Sequence, residues 1–501
     1  MDTLISALTL AMSAQNLGFL FLGCAVGLIV GVLPGLGPVF GVSLFLPLTF
    51  SLPVDSALIL LAAIYAATAY GDGITSILLN VPGGPSGVAV TFDGYPLTQK
   101  GKAGIALGAL AGSAFFGDLI GILALVTIAP ILADFSLELG PSEYFMLTMF
   151  GLSMVAVIGR GRGQAVRGLI LGALGLVISF MGQDIITGQL RFTFGWEYLE
   201  DGVPFVSASI GLFALAQALI LGEEGGSIAG ESVLVTKPWS GVVAAIRYWY
   251  VTIRSAITGV FLSMCPGIGI TTASLLSYFV ETRLSKDHES YGKGNVRGVI
   301  APQAASNAVT AGELIPALSL GIPSGATSAI FIAALTLHGL RPGLEFFTSG
   351  GVRVYAVFVG MFLAAITFFL AGMLLTPLFA RVTKLANAIL VPVIIILCLI
   401  GCFALRNRVE DLVICTVFGV IGYFLFKFKW PVQCIVLGLV LGSLAEKNFH
   451  RALQISDGSY TIFVTRPMSL TLLVIIIVIM SWTYLSDPIK RLGTAKKTSE
   501  A

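Results

Sequence analysis

The sequence predicts an all-α polytopic membrane protein made of two inverted repeats, each carrying broken or re-entrant helical hairpins. Three observations predict this. The 501 residues are 56% hydrophobic and 11% charged, with a mean hydropathy of +0.96, where a soluble globular chain carries about 25% charge. Residues 3–54, 168–183, 202–222, 255–280, 314–340, 354–380, 385–405 and 467–486 contain no Asp, Glu, Lys or Arg. Each run is near or above the roughly 17–25 residues that cross a bilayer as a helix. Finally, one pattern of helix-breaking residues occurs twice.

The first half reads Leu33-Pro34-Gly35-Leu36-Gly37-Pro38 and then Asn80-Val81-Pro82-Gly83-Gly84-Pro85-Ser86. The second half reads Cys265-Pro266-Gly267-Ile268-Gly269 and then Gly321-Ile322-Pro323-Ser324-Gly325-Ala326-Thr327. Such residues free backbone N–H and C=O groups that hydrocarbon cannot satisfy, so they are tolerated only inside protein or along a cavity. Matching interruptions in two halves point to a transporter binding site. Laying Pro82 on Pro323 also superposes Asp72 on Glu313 and the pair Arg160/Arg162 near Arg406/Arg408. The organisation read from this is a first membrane repeat over 1–202 and a connecting helix with a polar loop over 203–247. A second repeat over 248–450 and a C-terminal loop, extra helix and basic tail over 451–501 complete it.

Loop charges suggest the inversion. The loop at 134–143 holds Asp134, Glu138 and Glu143 without a base, whereas its counterpart holds Arg381 and Lys384 without an acid. The 191–201 segment is net acidic, and its counterpart carries Lys427 and Lys429. Short cytoplasmic loops collect Lys and Arg, so corresponding loops face opposite sides, and the C-terminal Lys490, Arg491, Lys496 and Lys497 fall in the cytoplasm. Met1-Asp2 opens the chain without a basic stretch, so no cleaved signal peptide is expected.

Two broken helices meeting near the midplane offer N–H groups and positive dipole ends to a carboxylate, and loose carbonyls to a cation. The expected substrate-binding set is therefore Pro34, Gly35, Gly37, Asn80, Pro82, Gly83, Ser86, Pro266, Gly267, Gly269, Thr271, Ser306, Asn307, Pro323, Ser324, Gly325 and Thr327. A lone Pro-Gly in a membrane helix is ordinarily a kink or a close-packing device; four in a duplicated arrangement favour a site. Asp72, Glu313 and Thr272 are the candidate Na⁺ site, because intramembrane carboxylates are rare and functional by default. The alternative for both acids is the wetted end of a helix in a polar vestibule. Asp118 lies in another apolar run and is expected to pair with an Arg.

Other classes fit less well. A net charge of +2 gives no case for nucleic acid, and the six Cys and three His lack metal-ligand spacing. No Gly-x4-Gly-Lys-Ser/Thr loop is present for ATP. Asp72 and Asp118 resemble an aspartyl dyad, but Gly-x-Gly-Asp is absent and so is HExxH, so an enzyme is not expected. A channel or membrane scaffold is the runner-up.

The strings GVLPGLGP (31–38), YGDGITSILLNVPGGPSG (70–87), FDGYPLTQKGKAG (92–104), LGPSEYFML (139–147), YGKGNVRGVIAPQAASNA (291–308), PALSLGIPSGATSAI (316–330) and LTLHGLRPG (335–343) resemble the large membrane subunit of the tripartite tricarboxylate transporter family, in family order. The resemblance implies about 12 transmembrane segments in a bacterial inner membrane. It implies a small membrane subunit and a periplasmic solute-binding protein as partners, and cation-coupled uptake of an organic carboxylate, with Na⁺ as the expected coupling ion and H⁺ as the alternative, and no other cofactor. The chain departs from the family pattern at positions 72 and 313, which are usually Gly and a small or apolar residue, at Gln303 and Ser306, and at Gly73, where citrate-type members tend to carry Arg. A carboxylate smaller or less charged than citrate fits better beside Asp72 and Glu313.

Overall fold

The computed structural model describes residues 2–33, 35–158, 162–184, 186–224, 237–382 and 387–481. Pro34, Arg160, Lys384 and the basic tail fall outside them. The chain is an all-helical membrane protein; among the described residues it has one two-residue antiparallel pair, Gly182–Gln183 against Leu190–Arg191. Among the described residues, five helices are long and apolar enough to cross a membrane: Ala14–Val32, Val54–Leu79, Ala103–Glu138, Phe205–Glu223 and Gly350–Leu375. Shorter apolar helices include Ala165–Ser179, Ala326–Leu337, Val391–Ala404 and Pro467–Ser481. Several charge-free runs are not single helices. The run 255–280 is split at 265–269 and the run 314–340 at 321–325, where Pro and positive-φ Gly end the hydrogen-bond ladder.

The Val54–Leu79 helix stands at the centre, and its apolar window is wholly buried. A helix apolar on every side has to be surrounded by protein or lipid. Small residues let its neighbour come close. A Cβ on Gly23 would lie 2.8 Å from Ala63 Cβ, one on Gly27 2.8 Å from Ala67 Cβ, and one on Gly31 2.8 Å from Gly71 Cα. The contacts advance together along both chains, so Ala14–Val32 and Val54–Leu79 run parallel, and Gly37–Phe45 returns between them. In the second half Trp249–Ser263 and Arg297–Gly312 are related in the same way. Gly259 approaches Ala305 and Gly312 approaches Val260, while Ile270–Leu284 returns between them.

The halves touch at both ends. Phe50, at the foot of the first returning segment, stacks on His338, at the end of Ala326–Leu337, with ring centroids 6.5 Å apart. At the other end Asp93 Oδ1 accepts the N–H groups of Gly294 and Asn295, both at 2.8 Å, and Asp93 Oδ2 accepts the Tyr278 hydroxyl at 2.9 Å.

Outer helices add a buried ion pair. Arg406 Nη2 donates to Asp411 Oδ1 at 2.8 Å and to the Tyr198 hydroxyl at 2.7 Å, and Tyr198 donates to the same carboxylate at 2.6 Å. Asp411 is 0% exposed. Removing one partner strands a buried charge, which costs about 3–5 kcal/mol when the pair is fully buried and less here because Arg406 reaches solvent. Arg406→Ala is expected to lower the melting temperature in detergent clearly, with Arg406→Lys in between; equal melting curves for all three would refute the pair's role.

Candidate functional site

The four breaks are bonded in pairs, identically in each half. The Gly35 N–H donates to the Gly83 carbonyl at 2.6 Å, and the Gly267 N–H donates to the Ser324 carbonyl at 2.7 Å. Gly35 has φ +87° and Gly267 φ +85°, which side chains with a Cβ rarely adopt. Asn80 (φ 58°) and Gly321 (φ 69°) end the preceding helices in left-handed caps, which Asn and Gly tolerate best. Gly84 and Gly325 follow in matching extended conformations, φ −157° and −149°.

Beneath each second break lies the acid of that half. A Cβ on Gly84 would sit 2.8 Å from Asp72 Cγ, and one on Gly325 would sit 3.1 Å from Glu313 Cδ. Asp72 Oδ2 accepts the Ser86 N–H at 3.3 Å and also the Ser86 hydroxyl. Glu313 faces the Ser328 N–H and the Tyr65 hydroxyl. The acids thus cap the helix segments that restart after the breaks, where N–H groups and the helix dipole favour negative charge. Each cap is half used. Asp72 (0% exposed) and Glu313 (3%) each keep one oxygen, Oδ1 and Oε2, without a hydrogen-bond partner among the described residues.

The halves are also crossed. The Ser86 carbonyl accepts from Ser306 Oγ at 3.4 Å and Ser274 Oγ at 3.2 Å, both from the second half. Tyr65, from the first half, reaches Glu313 and Thr327. Tyr65 and Ser306 hold equivalent places when Pro82 is laid on Pro323. Ile270, immediately after the 265–269 break, packs with Ala69 and Val309, and Ala69 O accepts from Ser86 Oγ (3.1 Å) and Gln303 Nε2 (3.2 Å).

Of the expected residues, Gly35, Gly83, Ser86 and Ser306 therefore fall in one contact set around Asp72, and Gly267, Ser324, Gly325 and Thr327 in another around Glu313 and Tyr65; Ile270 against Ala69 brings the two sets near each other. Gly37 joins the first set through Pro85, Pro82 and Pro323 lie within the bonded turns, and Pro266 abuts Gly151. Asn80 is exposed and serves as a cap, Gly269 heads the Ile270–Leu284 helix, Thr271 is half-buried and Thr272 is exposed. Asp72 and Glu313 each belong to their own break, and among the described residues no hydrogen bond joins either to Thr272. Pro34 falls outside the described residues. Tyr65, Ser274 and Gln303 were not among the candidates. The repeat register singles out Tyr65 as the mate of Ser306, whereas nothing in the spacing singles out Ser274.

Asp118 corrects an expectation. Among the described residues it pairs with no Arg; its carboxylate accepts Thr310 Oγ1 at 2.8 Å and Asn307 Nδ2 at 3.3 Å, and Asn307 Oδ1 accepts Gln303 Nε2 at 2.6 Å. Amide and hydroxyl donors on the adjacent helix take the place of an ion pair. Asn307 is thus tied to Asp118 rather than to a break.

A cavity of about 1070 Å³ reaches Gly321 and Ile322 of the second-half break and is walled by the 181–207 segment and the Gln433–Ile455 helix. Arg191 on its wall bonds Glu446 (2.6 Å) and Asp184 (3.1 Å). The N–H groups of Thr187 and Ile186 hold the Asp184 carboxyl below the usual carboxylate range.

The model of the tripartite tricarboxylate transporter TctA family matches residues 17–437. The chain is 34% identical over 480 residues to an uncharacterized 52.8 kDa protein of the TAR-I ttuC' 3' region of Agrobacterium vitis, covering 95% of each chain. It is also 34% identical over 215 residues to an uncharacterized protein of the TAR-II ttuC' 3' region of the same organism, covering 43% of this chain and 89% of that one. No solved structure matches.

Proposed function

The chain belongs to the tripartite tricarboxylate transporter TctA family, and from that premise we propose that it is the translocating subunit of a cation-coupled carrier for an organic carboxylate. It works with a small membrane subunit and a periplasmic solute-binding protein in the bacterial inner membrane. The observation that carries this reading is the half-used cap. A substrate carboxylate needs the N–H groups at the restarting helices, but Asp72 and Glu313 already face them. A cation, Na⁺ or H⁺, that neutralises each acid releases those donors to the substrate. Binding of cation and anion is then coupled by charge alone, because burying either one unpaired is costly. Asp72 and Glu313 act here as two separate cation positions, one per half, and the second- and first-break residues line the substrate path between them.

Inverted repeats are part of the proposal. The foot of the first returning hairpin lies with the end of the second half's last broken helix, through Phe50 and His338. The first half's segment after its second break lies with the loop before Arg297, through Asp93. Corresponding features on opposite faces are what an inverted pair requires. In this reading Lys100 faces the cytoplasm, Arg408 faces the periplasm, the chain has about a dozen spans and its C-terminus is cytoplasmic. Labelling Lys100→Cys and Arg408→Cys with an impermeant maleimide on a cysteine-free background is expected to modify only the latter from outside; labelling of both from one side would refute the inversion.

The function is tested by uptake of labelled carboxylates in cells expressing this chain with its small subunit and binding protein. Saturable uptake that collapses with the cation gradient and without the binding protein is expected. Non-saturable flux independent of the binding protein would favour a channel.

A further inference from the structure

We propose that Lys447 and Arg451 form an anion-capture site in the 1070 Å³ cavity, holding a small dicarboxylate before it reaches the breaks. The proposal deepens the carrier reading above and rests on it for the direction of travel. Both residues are exposed, lie one turn apart on the Gln433–Ile455 helix and line the cavity. Like charges at this spacing repel, and no described carboxylate lies within 4.0 Å of either.

The surrounding charges make the pair stand out. Glu446, beside Lys447 in sequence, is taken by Arg191 at 2.6 Å. Arg406 is taken by Asp411 at 2.8 Å, and Asp201 lies 3.7 Å from Arg408. Among the described lining, Glu200 is the remaining carboxylate, exposed and without an ion pair. The wall therefore neutralises its other cations and leaves two on one helix face, their Cβ atoms about 5–6 Å apart as i, i+4 neighbours are. From neighbouring positions, two long cationic side chains reach the two carboxylates of one short-chain anion. The cavity also contacts Gly321 and Ile322, so an anion held there stands next to the second-half break.

The test uses the purified full chain in zwitterionic nanodiscs, with succinate and acetate as probes. Succinate is expected to bind more tightly than acetate and to weaken as salt rises. The double substitution Lys447→Gln/Arg451→Gln is expected to weaken succinate at least about tenfold, while Lys447→Arg/Arg451→Lys retains it with an unchanged melting temperature. Equal succinate binding by wild type and the Gln pair, or none by wild type, overturns the proposal. So does displacement of succinate by added phosphatidylglycerol, which would assign the pair to lipid headgroups. In cells, the Gln pair is expected to raise the apparent KM of uptake with little change in maximal rate. Succinate binding by the purified chain without gradient-driven uptake would sink the carrier reading and leave the capture site; uptake unaltered by the Gln pair would do the reverse.

Discussion

Gly83→Val is expected to abolish uptake while the protein still inserts. A Cβ at position 83 would fall on the Gly31 carbonyl oxygen and lie 2.7 Å from Asp72 Cα and 3.0 Å from Thr75 Oγ1. The first two are backbone atoms, which cannot swing away as the end of a side chain does. The 80–85 turn has to shift, and the bond from the Gly35 N–H goes with it. Overpacking of this kind costs about 1–3 kcal/mol, and at about 1.4 kcal/mol per decade the upper end is roughly a hundredfold in the competent fraction. Gly18→Val is the matched control, since a Cβ there meets nothing within 4 Å. Uptake per inserted molecule, normalised by immunoblot, decides the matter; near-normal uptake by Gly83→Val would mean that the paired breaks are not needed for transport.

Asp72→Asn and Glu313→Gln are expected to uncouple uptake from the cation. Both changes keep size and an acceptor oxygen for the Ser86 and Ser328 donors, so the caps survive while the charge that requires neutralisation disappears. The apparent cation affinity of uptake is expected to shift at least about tenfold, equivalent to about 1.4 kcal/mol, with expression little changed. Running the assay against Na⁺ at fixed pH, and against pH without Na⁺, identifies which ion each acid answers to. If both variants keep the wild-type cation dependence, the acids are helix caps and no more.

What the sequence made legible, and what it hid, follows from the range of the interactions. The breaks, their pairing into halves and the equivalence of Asp72 and Glu313 were all visible, because Pro, Gly and intramembrane acids act locally and leave a fixed spacing. The helix ends were visible less well: Asn80 reads as a ligand by its amide, yet its left-handed φ and exposure make it a cap. Partners across the halves were hidden. Nothing in the chain order brings Ser274 to the Ser86 carbonyl, or sets Asn307 and Thr310 rather than an Arg against Asp118. The isolation of Lys447 and Arg451 was hidden too, since it depends on Arg191 reaching Glu446 from far away in the chain.

The paired bonds at the breaks also constrain how the protein is made. As the chain emerges, the Gly35 N–H has no acceptor until Gly83 has been synthesised, and the Gly267 N–H waits in the same way for Ser324. An interrupted helix left in lipid with an orphaned donor is unfavourable, so each hairpin has to stay in water, or in the shelter of the insertion machinery, until its second break arrives. The Ser86 carbonyl then waits longer still, for Ser274 and Ser306 of the other half. Biogenesis is therefore expected to proceed in two large instalments rather than helix by helix.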